Sequence, residues 1–392
     1  MYRFACIFAF VIGLALPAAA FETRATAAYV IDQTTGTVLL SKNANEALPP
    51  ASMSKLMTLY MAFDAIADGR LQLDEELLVS QHAMSFGGST LFLRAGERVK
   101  VEDLIRGIIV LSGNDACVVI AEALSRDGTE AGFAQMMTTR ARELGMTNST
   151  FANSSGWPAA GHRMSMKDLA ILADRLIKDY PTYYPLFSQK EFLFDPKESE
   201  NRLNRNPLLG LGIGADGLKT GHTREAGYGL VGSAQQGDRR IIFVLTGLQS
   251  SAARAEESEK IVNWAFRQFA QKELIKAGTV IAEAEVWNGA ETTVGLVPAQ
   301  DLSLLLPVLS GNTVDAQVRY TGPVEAPISA GDQLAELVIA LDDLPETRLP
   351  LVAANDVPAA GFVGKMRTAT GVLVQQVTAS PAAPLQAPSS AN

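Results

Sequence analysis

Three short strings constrain this chain more than any other feature: Ser52-Met53-Ser54-Lys55, Ser112-Gly113-Asn114 and Lys219-Thr220-Gly221, in that order within one apparent domain. They bring together a hydroxyl with an amine, a second hydroxyl with an amide, and a cation on a strand. Ser-x-x-Lys occurs once in the chain, and so does Lys-Thr-Gly. Ser-x-Asn recurs at Ser41, Ser199, Ser310 and Ser390. Only Ser112 lies between the other two strings with an apolar run on each side, over residues 108–111 and 116–124. Ser310-Gly311-Asn312 follows Pro307 and reads as a turn. The ordered conjunction is specific where each string alone is not.

The residue types describe a serine acyl-transfer site. Positions i and i+3 of a helix share one face, so Ser52 and Lys55 meet if that face turns toward a cleft. A serine hydroxyl becomes a nucleophile when a neighbouring base takes its proton. A lysine does this only while neutral, and both desolvation and a second cation such as Lys219 favour that form. Ser112 is placed to relay a proton toward a leaving amine, and Asn114 offers a donor and an acceptor to substrate and to Lys55. Lys219 and Thr220 suit a substrate carboxylate. Gly221 has no side chain to keep an extended peptide from the strand edge. The backbone N–H groups of Ser52 and His222 suit an oxyanion hole. A Ser-His-Asp triad through His222 is disfavoured, because Ser52 lacks a Gly-x-Ser-x-Gly context. His82 and His162 stand apart from Cys and acidic clusters, so no metal or other cofactor is expected.

With 392 residues, 47% hydrophobic and 19% charged, the chain has room for two folded domains with tails. Its net charge of -9 argues against nucleic acid as a partner. Residues 1–20 read as a cleaved export signal: Arg3, an apolar core over 4–16, and a small-residue site at Pro17-Ala18-Ala19-Ala20. After cleavage Cys117 is the sole thiol, and its place in an apolar helix predicts a buried packing residue.

Alternation predicts a hairpin over 27–40, with its turn at 33–36, and strands over 218–220, 227–234 and 240–248. Helical patterns cover 101–111, 115–124, 166–177 and 253–271, and a loop is expected over 82–96. Past residue 278, short strand-like runs separated by Asn288-Gly289 and Gly322-Pro323 predict a small all-β domain over 278–357. Residues 360–378 form an amphipathic pattern whose charges are Lys365 and Arg367, suited to an anionic membrane surface. The Pro-, Ala- and Ser-rich tail over 379–392 is expected to be disordered.

With these strings in place, the sequence resembles the low-molecular-mass penicillin-binding proteins, the D-alanyl-D-alanine carboxypeptidases of the penicillin-binding protein 5 type. Further matching strings are Ile105-Arg106-Gly107, Asn204-Arg205-Asn206, Asp216-Gly217-Leu218 before Lys219, and Gly361-Phe362-Val363-Gly364-Lys365. The resemblance implies an α/β (α+β) catalytic domain over 21–273, with an antiparallel sheet flanked by helices, then the β-rich domain and a membrane-associating helix. It implies Ser52 as acyl-enzyme nucleophile, Lys55 as base, Ser112 as proton relay and Lys219 as carboxylate binder assisted by Arg205. The expected partners are the pentapeptide stem of peptidoglycan and β-lactam antibiotics. The expected location is periplasmic, peripherally attached to the outer face of the bacterial cytoplasmic membrane.

A DD-endopeptidase needs the same residues in a more open cleft. A β-lactamase is disfavoured because the middle string is Ser-Gly-Asn rather than Ser-Asp-Asn, and because no Asp or Glu occurs between Thr150 and Lys167. A non-catalytic peptidoglycan-binding protein is disfavoured by the complete set of strings.

Overall fold

The computed structural model describes residues 21–308, 315–340 and 346–361. Residues 1–20, read above as an export signal, Ser310-Gly311-Asn312, the tail over 379–392 and nearly all of the segment over 360–378 lie outside the described residues.

The first domain runs β1 (Ala27–Asp32), β2 (Val38–Lys42), α1 (Lys55–Ala67), β3 (Glu76–Leu78), α2 (Gln81–Met84), β4 (Arg98–Lys100), α3 (Val101–Arg106), α4 (Asn114–Leu124), α5 (Glu130–Glu143), α6 (Met166–Asp179), β5 (Ala215–Thr223), β6 (Gly227–Gln236), β7 (Arg239–Leu248) and α7 (Ser251–Arg267). Five strands form an antiparallel sheet in the order β2-β1-β7-β6-β5, which leaves β5 at an edge. Successive strand side chains point to opposite faces, and both faces are covered. Ala27, Tyr29, Ile242 and Val244 join the core of α1, α4 and α6. Ala28, Val30, Ile241, Phe243 and Leu245 pack with Ile261, Val262 and Ala265 of α7. This double burial explains the unbroken apolar run at 241–245.

The sheet and most helices agree with the sequence patterns, and the differences have local causes. Ala51–Ser54 is a 3-10 turn, so α1 begins only at Lys55. The pattern over 101–111 divides into α3 and a π-turn at Gly107–Leu111. That turn delivers Ser112 in a left-handed conformation, φ 65°. Helix α5 has no counterpart among the sequence patterns, because its buried stripe of Phe133, Ala134, Met137 and Ala141 is sparse among polar residues and a glycine. Helix α7 stops at Arg267, and Phe269 opens a strand instead of extending the helix.

The all-β part comprises β8 (Phe269–Ile275), β9 (Ala282–Trp287), β10 (Thr293–Pro298), β11 (Leu302–Pro307), β12 (Asp315–Tyr320), β13 (Val324–Glu325), β14 (Gln333–Ala340) and β15 (Thr347–Ala353). Six of these strands form one sheet, and β8 pairs with β11 as a separate ribbon. Neighbouring residues of β11 serve the two cores: Leu305 packs with α7, while Leu306 enters the β core.

Candidate active site

The 3-10 turn sets the first pair. Its side chains at i and i+3 eclipse one another, which stacks Lys55 over Ser52 with Nζ 3.0 Å from Oγ. Lys55 is wholly buried, although Ser52 is not. Its Nζ also donates to Asn114 Oδ1 at 2.7 Å and to the Ser155 carbonyl at 2.6 Å. The amide of Asn114 is oriented by donation from Nδ2 to the Gly87 carbonyl, 2.7 Å. Asn114 Oδ1 and the Ser155 oxygen can only accept. A neutral Lys55 therefore spends its two N–H bonds on them and turns its lone pair toward the Ser52 hydroxyl.

Lys219 projects from edge strand β5 and donates to Ser112 Oγ at 3.0 Å and to the Thr220 carbonyl at 3.3 Å. Arg205 Nη1 donates to Ser89 Oγ on the opposite wall, 2.5 Å away. Among the described residues, none of these three cations forms an ion pair with a carboxylate. Burial lowers Lys55 to about 8, and the Arg205 charge pushes in the same direction. Burial and the charges of Lys55 and Arg205 hold Lys219 well below an ordinary amine. The cleft thus combines two amines that give up a proton easily with the Arg205 guanidinium, a positive charge free to meet an anionic ligand.

Gly221 serves a different purpose from the one its position suggests. A Cβ there would stand 3.0 Å from both the Pro50 carbonyl and Met53 Cγ. Its bareness lets β5 press against the nucleophile turn rather than clearing space at the strand edge. Thr220 is buried, and the exposed His222 stacks its ring on Tyr228 with centroids 3.8 Å apart. Hydrogen bonds thus join Ser52, Lys55 and Asn114 in one group and Ser112 and Lys219 in a second, with Ser112 two residues from Asn114. Cys117 is buried behind the cleft, and desolvation pushes its thiol up to about 12.

Residues 15–250 match the family model described as D-alanyl-D-alanine carboxypeptidase. Residues 269–359 match the penicillin-binding protein 5 C-terminal domain. The chain belongs to the D-alanyl-D-alanine carboxypeptidase family. It is 34% identical over 350 residues to D-alanyl-D-alanine carboxypeptidase DacF of Bacillus subtilis, covering 89% of this chain and 90% of that one. It is 34% identical to DacC of Escherichia coli, with 86% and 85% covered. Among solved structures it is similar to penicillin binding protein 5 from Haemophilus influenzae, with a TM-score of 0.73, 31% identity, and 88% and 100% of the two chains covered.

This D-alanyl-D-alanine carboxypeptidase family member holds its site with residues that carry no motif. Glu130, at the start of α5, accepts from Ser154 N at 2.9 Å and Ser154 Oγ at 2.6 Å, which fixes the loop presenting the Ser155 carbonyl. It lies outside the 150–167 span in which a β-lactamase-like carboxylate would be expected. His162 is buried behind the nucleophile turn: Ala152 N donates to its Nδ1 at 3.2 Å, leaving Nε2–H to donate to Ser54 Oγ at 2.8 Å. The one sequence signal for this role is a histidine in a loop, residues 150–165, whose only other ionisable side chain is Arg163.

Burial, with the Lys55 charge adding to it, lowers the His162 imidazole to about 4 from 6.5. Between those values the unfolded chain binds a proton that the folded chain refuses, so stability falls as pH drops through that window. The expected loss is up to about 3 kcal/mol. His162→Gln retains a donor and an acceptor without titrating, so its urea midpoint should fall less than the wild type's between pH 7 and pH 4.

Proposed function

We propose that the protein removes the terminal D-alanine from pentapeptide stems of peptidoglycan, outside the bacterial cytoplasmic membrane, through an acyl-enzyme on Ser52. The observation that carries this assignment is the hydrogen-bond set of Lys55: two partners can only accept, so Ser52 alone can pass it a proton.

In this reading Ser52 Oγ attacks the carbonyl of the penultimate D-alanine while its proton moves to Lys55 Nζ. The oxyanion forms between the backbone N–H groups of Ser52 and His222. The hydroxyl of Ser112 hands a proton to the departing D-alanine nitrogen and is replenished from the lysine pair. Lys219, with Thr220 and Arg205, receives the terminal carboxylate, while Asn114 fixes Lys55 and the substrate amide. Water then attacks the ester carbonyl, with Lys55 again as base, and releases the shortened stem. Penicillin follows the first half of this path. Glu130 is engaged by Ser154, which supports slow release of the penicilloyl group.

The wild type should release free D-alanine from a donor ending in D-Ala-D-Ala, with little from one ending in L-Ala. Ser52→Ala should abolish both that release and covalent penicillin labelling. Lys55→Ala should lower acylation by several orders of magnitude with the nucleophile intact. Intact-mass detection of a stoichiometric penicillin adduct on Ser52→Ala would remove the assignment.

Acylation needs neutral Lys55, so its rate should rise with pH through about 8. Arg205→Ala removes a cation that disfavours the Lys55 ammonium. The amine's pKa then rises and the ascending limb moves to higher pH. Penicillin acylation rates across pH 6–10, with the limb staying fixed or moving down, would contradict this coupling.

Residues 360–378 are proposed to rest on an anionic bilayer, on the strength of Phe362, Met366, Ala369, Leu373 and Val377 recurring at helical spacing beside Lys365 and Arg367. Among the described residues no helix is long and apolar enough to cross a membrane. Truncation after Gly361 should retain D-alanine release but reduce sedimentation with anionic vesicles at low salt; equal partitioning of the two forms would reject the anchor.

A further inference from the structure

The walls of the cleft are tied together at the end where Lys219 stands. Lys219 and Ser112, both buried, make the bottom of this tie. Nearer the surface Arg205 Nη1 reaches Ser89 Oγ at 2.5 Å. Four residues earlier in the chain, Asn201 Nδ2 donates to the Thr90 carbonyl at 3.0 Å. Each wall is also anchored without these bonds. Asp115 holds Leu91 and Leu93 by their N–H groups, and Asn114 holds Gly87 and Ser89 by their carbonyls. On the facing wall Asn204 donates to the Gln189 carbonyl at 2.9 Å and accepts from Asn206 N at 3.0 Å. The Arg205 carbonyl accepts from Arg254 Nη2 at 3.3 Å.

The edge of β5 is engaged at the same end. Buried Asn206 donates from Nδ2 to the Gly217 carbonyl at 3.0 Å, two residues before Lys219. A Cβ on Gly217 would stand 3.1 Å from Phe187 Cβ and 3.2 Å from the Tyr184 hydroxyl. A peptide lying along the edge with its carboxylate at Lys219 therefore finds no free carbonyl at Gly217 on which to continue the ladder.

We propose that Ser89 and Asn201 are specificity-determining residues: their bonds close the leaving-group end of the cleft, so that one small residue can depart and the second stem of a cross-link is shut out. The inference rests on the carboxypeptidase reading above, which places the terminal carboxylate at Lys219, Thr220 and Arg205 and the departing residue beside them. In a pentapeptide stem that residue carries a methyl group and ends the chain. In a cross-link the departing nitrogen belongs to the side chain of another stem, and the remainder of that stem has to leave by the same opening. The Ser89 and Asn201 bonds span the opening, and Asn206 closes the route along β5. The Arg205–Ser89 bond is charge-assisted and is the stronger of the two. Cutting an amide to D-alanine and cutting a cross-link both need Ser52, Lys55, Ser112 and Lys219, so the choice between them falls to this strap.

Two substrates built on the same stem test this. One is a monomeric pentapeptide, followed by release of D-alanine; the other is a dimer of two tetrapeptides joined by one D-alanyl cross-link, followed by release of tetrapeptide. Wild type should favour the monomer in kcat/KM by roughly a hundredfold, within the range over which a pocket discriminates by size. Ser89→Ala combined with Asn201→Ala cuts both bonds and leaves every reacting residue in place. Dimer cleavage should then rise about tenfold, the factor that one hydrogen bond to a charged group represents, while D-alanine release is retained. A damaged fold lowers both rates, so a gain on the dimer reports opening of the strap. Penicillin labelling shows whether the Ser52 site is intact; where the double variant does not label, Asn201→Ala alone should give a smaller gain in the same direction. A labelling variant that keeps the wild-type ratio would overturn the strap, as would equal wild-type rates on monomer and dimer, and either result leaves the carboxypeptidase standing. No D-alanine from the monomer would overturn the underlying reading instead.

Discussion

The site depends on keeping one amine out of water. Burying an ammonium costs several kcal/mol unless its hydrogen bonds are replaced, and Lys55 receives three acceptors but no carboxylate. A carboxylate in their place would hold the proton on Lys55 and remove its basicity. Neutral oxygens satisfy the charged form without fixing it, so burial is left to lower the pKa. The apolar lining of α1, including Leu56, Leu59 and Tyr60, belongs to the same core that locks the helix in position. Stability and basicity therefore arise from the same packing.

Sheet topology supplies the second requirement. An edge strand presents unpaired backbone groups and is ordinarily a hazard for unwanted pairing. Here β5 is pressed against the nucleophile turn through Gly221, and Lys219 crosses to Ser112 on the other side of the cleft. The edge therefore lies directly beside the turn that carries Ser52. Such an arrangement favours main-chain pairing for affinity and leaves selectivity to the pockets beyond the strand.

The three strings make Ser52, Lys55, Ser112, Asn114 and Lys219 legible because their chemistry resides in side chains at fixed spacing. The alternating strands around Lys219 are equally legible, since burial of both sheet faces writes itself into residues 241–245. Other contributors leave no such trace. The Ser155 carbonyl is a backbone atom, so any residue type can supply it. Gly221 looks like space for substrate, and only the packing shows which element occupies that space. His162 and Glu130 act from segments distant in sequence, through loop contacts that have no period to detect. The 3-10 turn at Ser52 is hidden for a related reason: an i,i+3 spacing is compatible with either helix type.

Asp115 shows how far the positioning extends. Its buried carboxylate accepts from Leu91 N at 3.0 and 2.9 Å and from Leu93 N at 3.2 Å, thereby holding the loop that crosses the cleft. Asn114 N donates to the Ser89 carbonyl of that loop at 2.7 Å, and Asn114 Nδ2 to its Gly87 carbonyl. Gly88, between them, lies against the Trp157 ring, where a Cβ would come within 2.9 Å. Loop and helix α4 thus fix one another, and the amide that results from this fit presents Oδ1 to Lys55. The Asp115 side chain consequently helps determine which oxygen the Lys55 amine faces. The residue following the middle string thus positions that string's amide, by accepting with its carboxylate from the backbone of the facing loop.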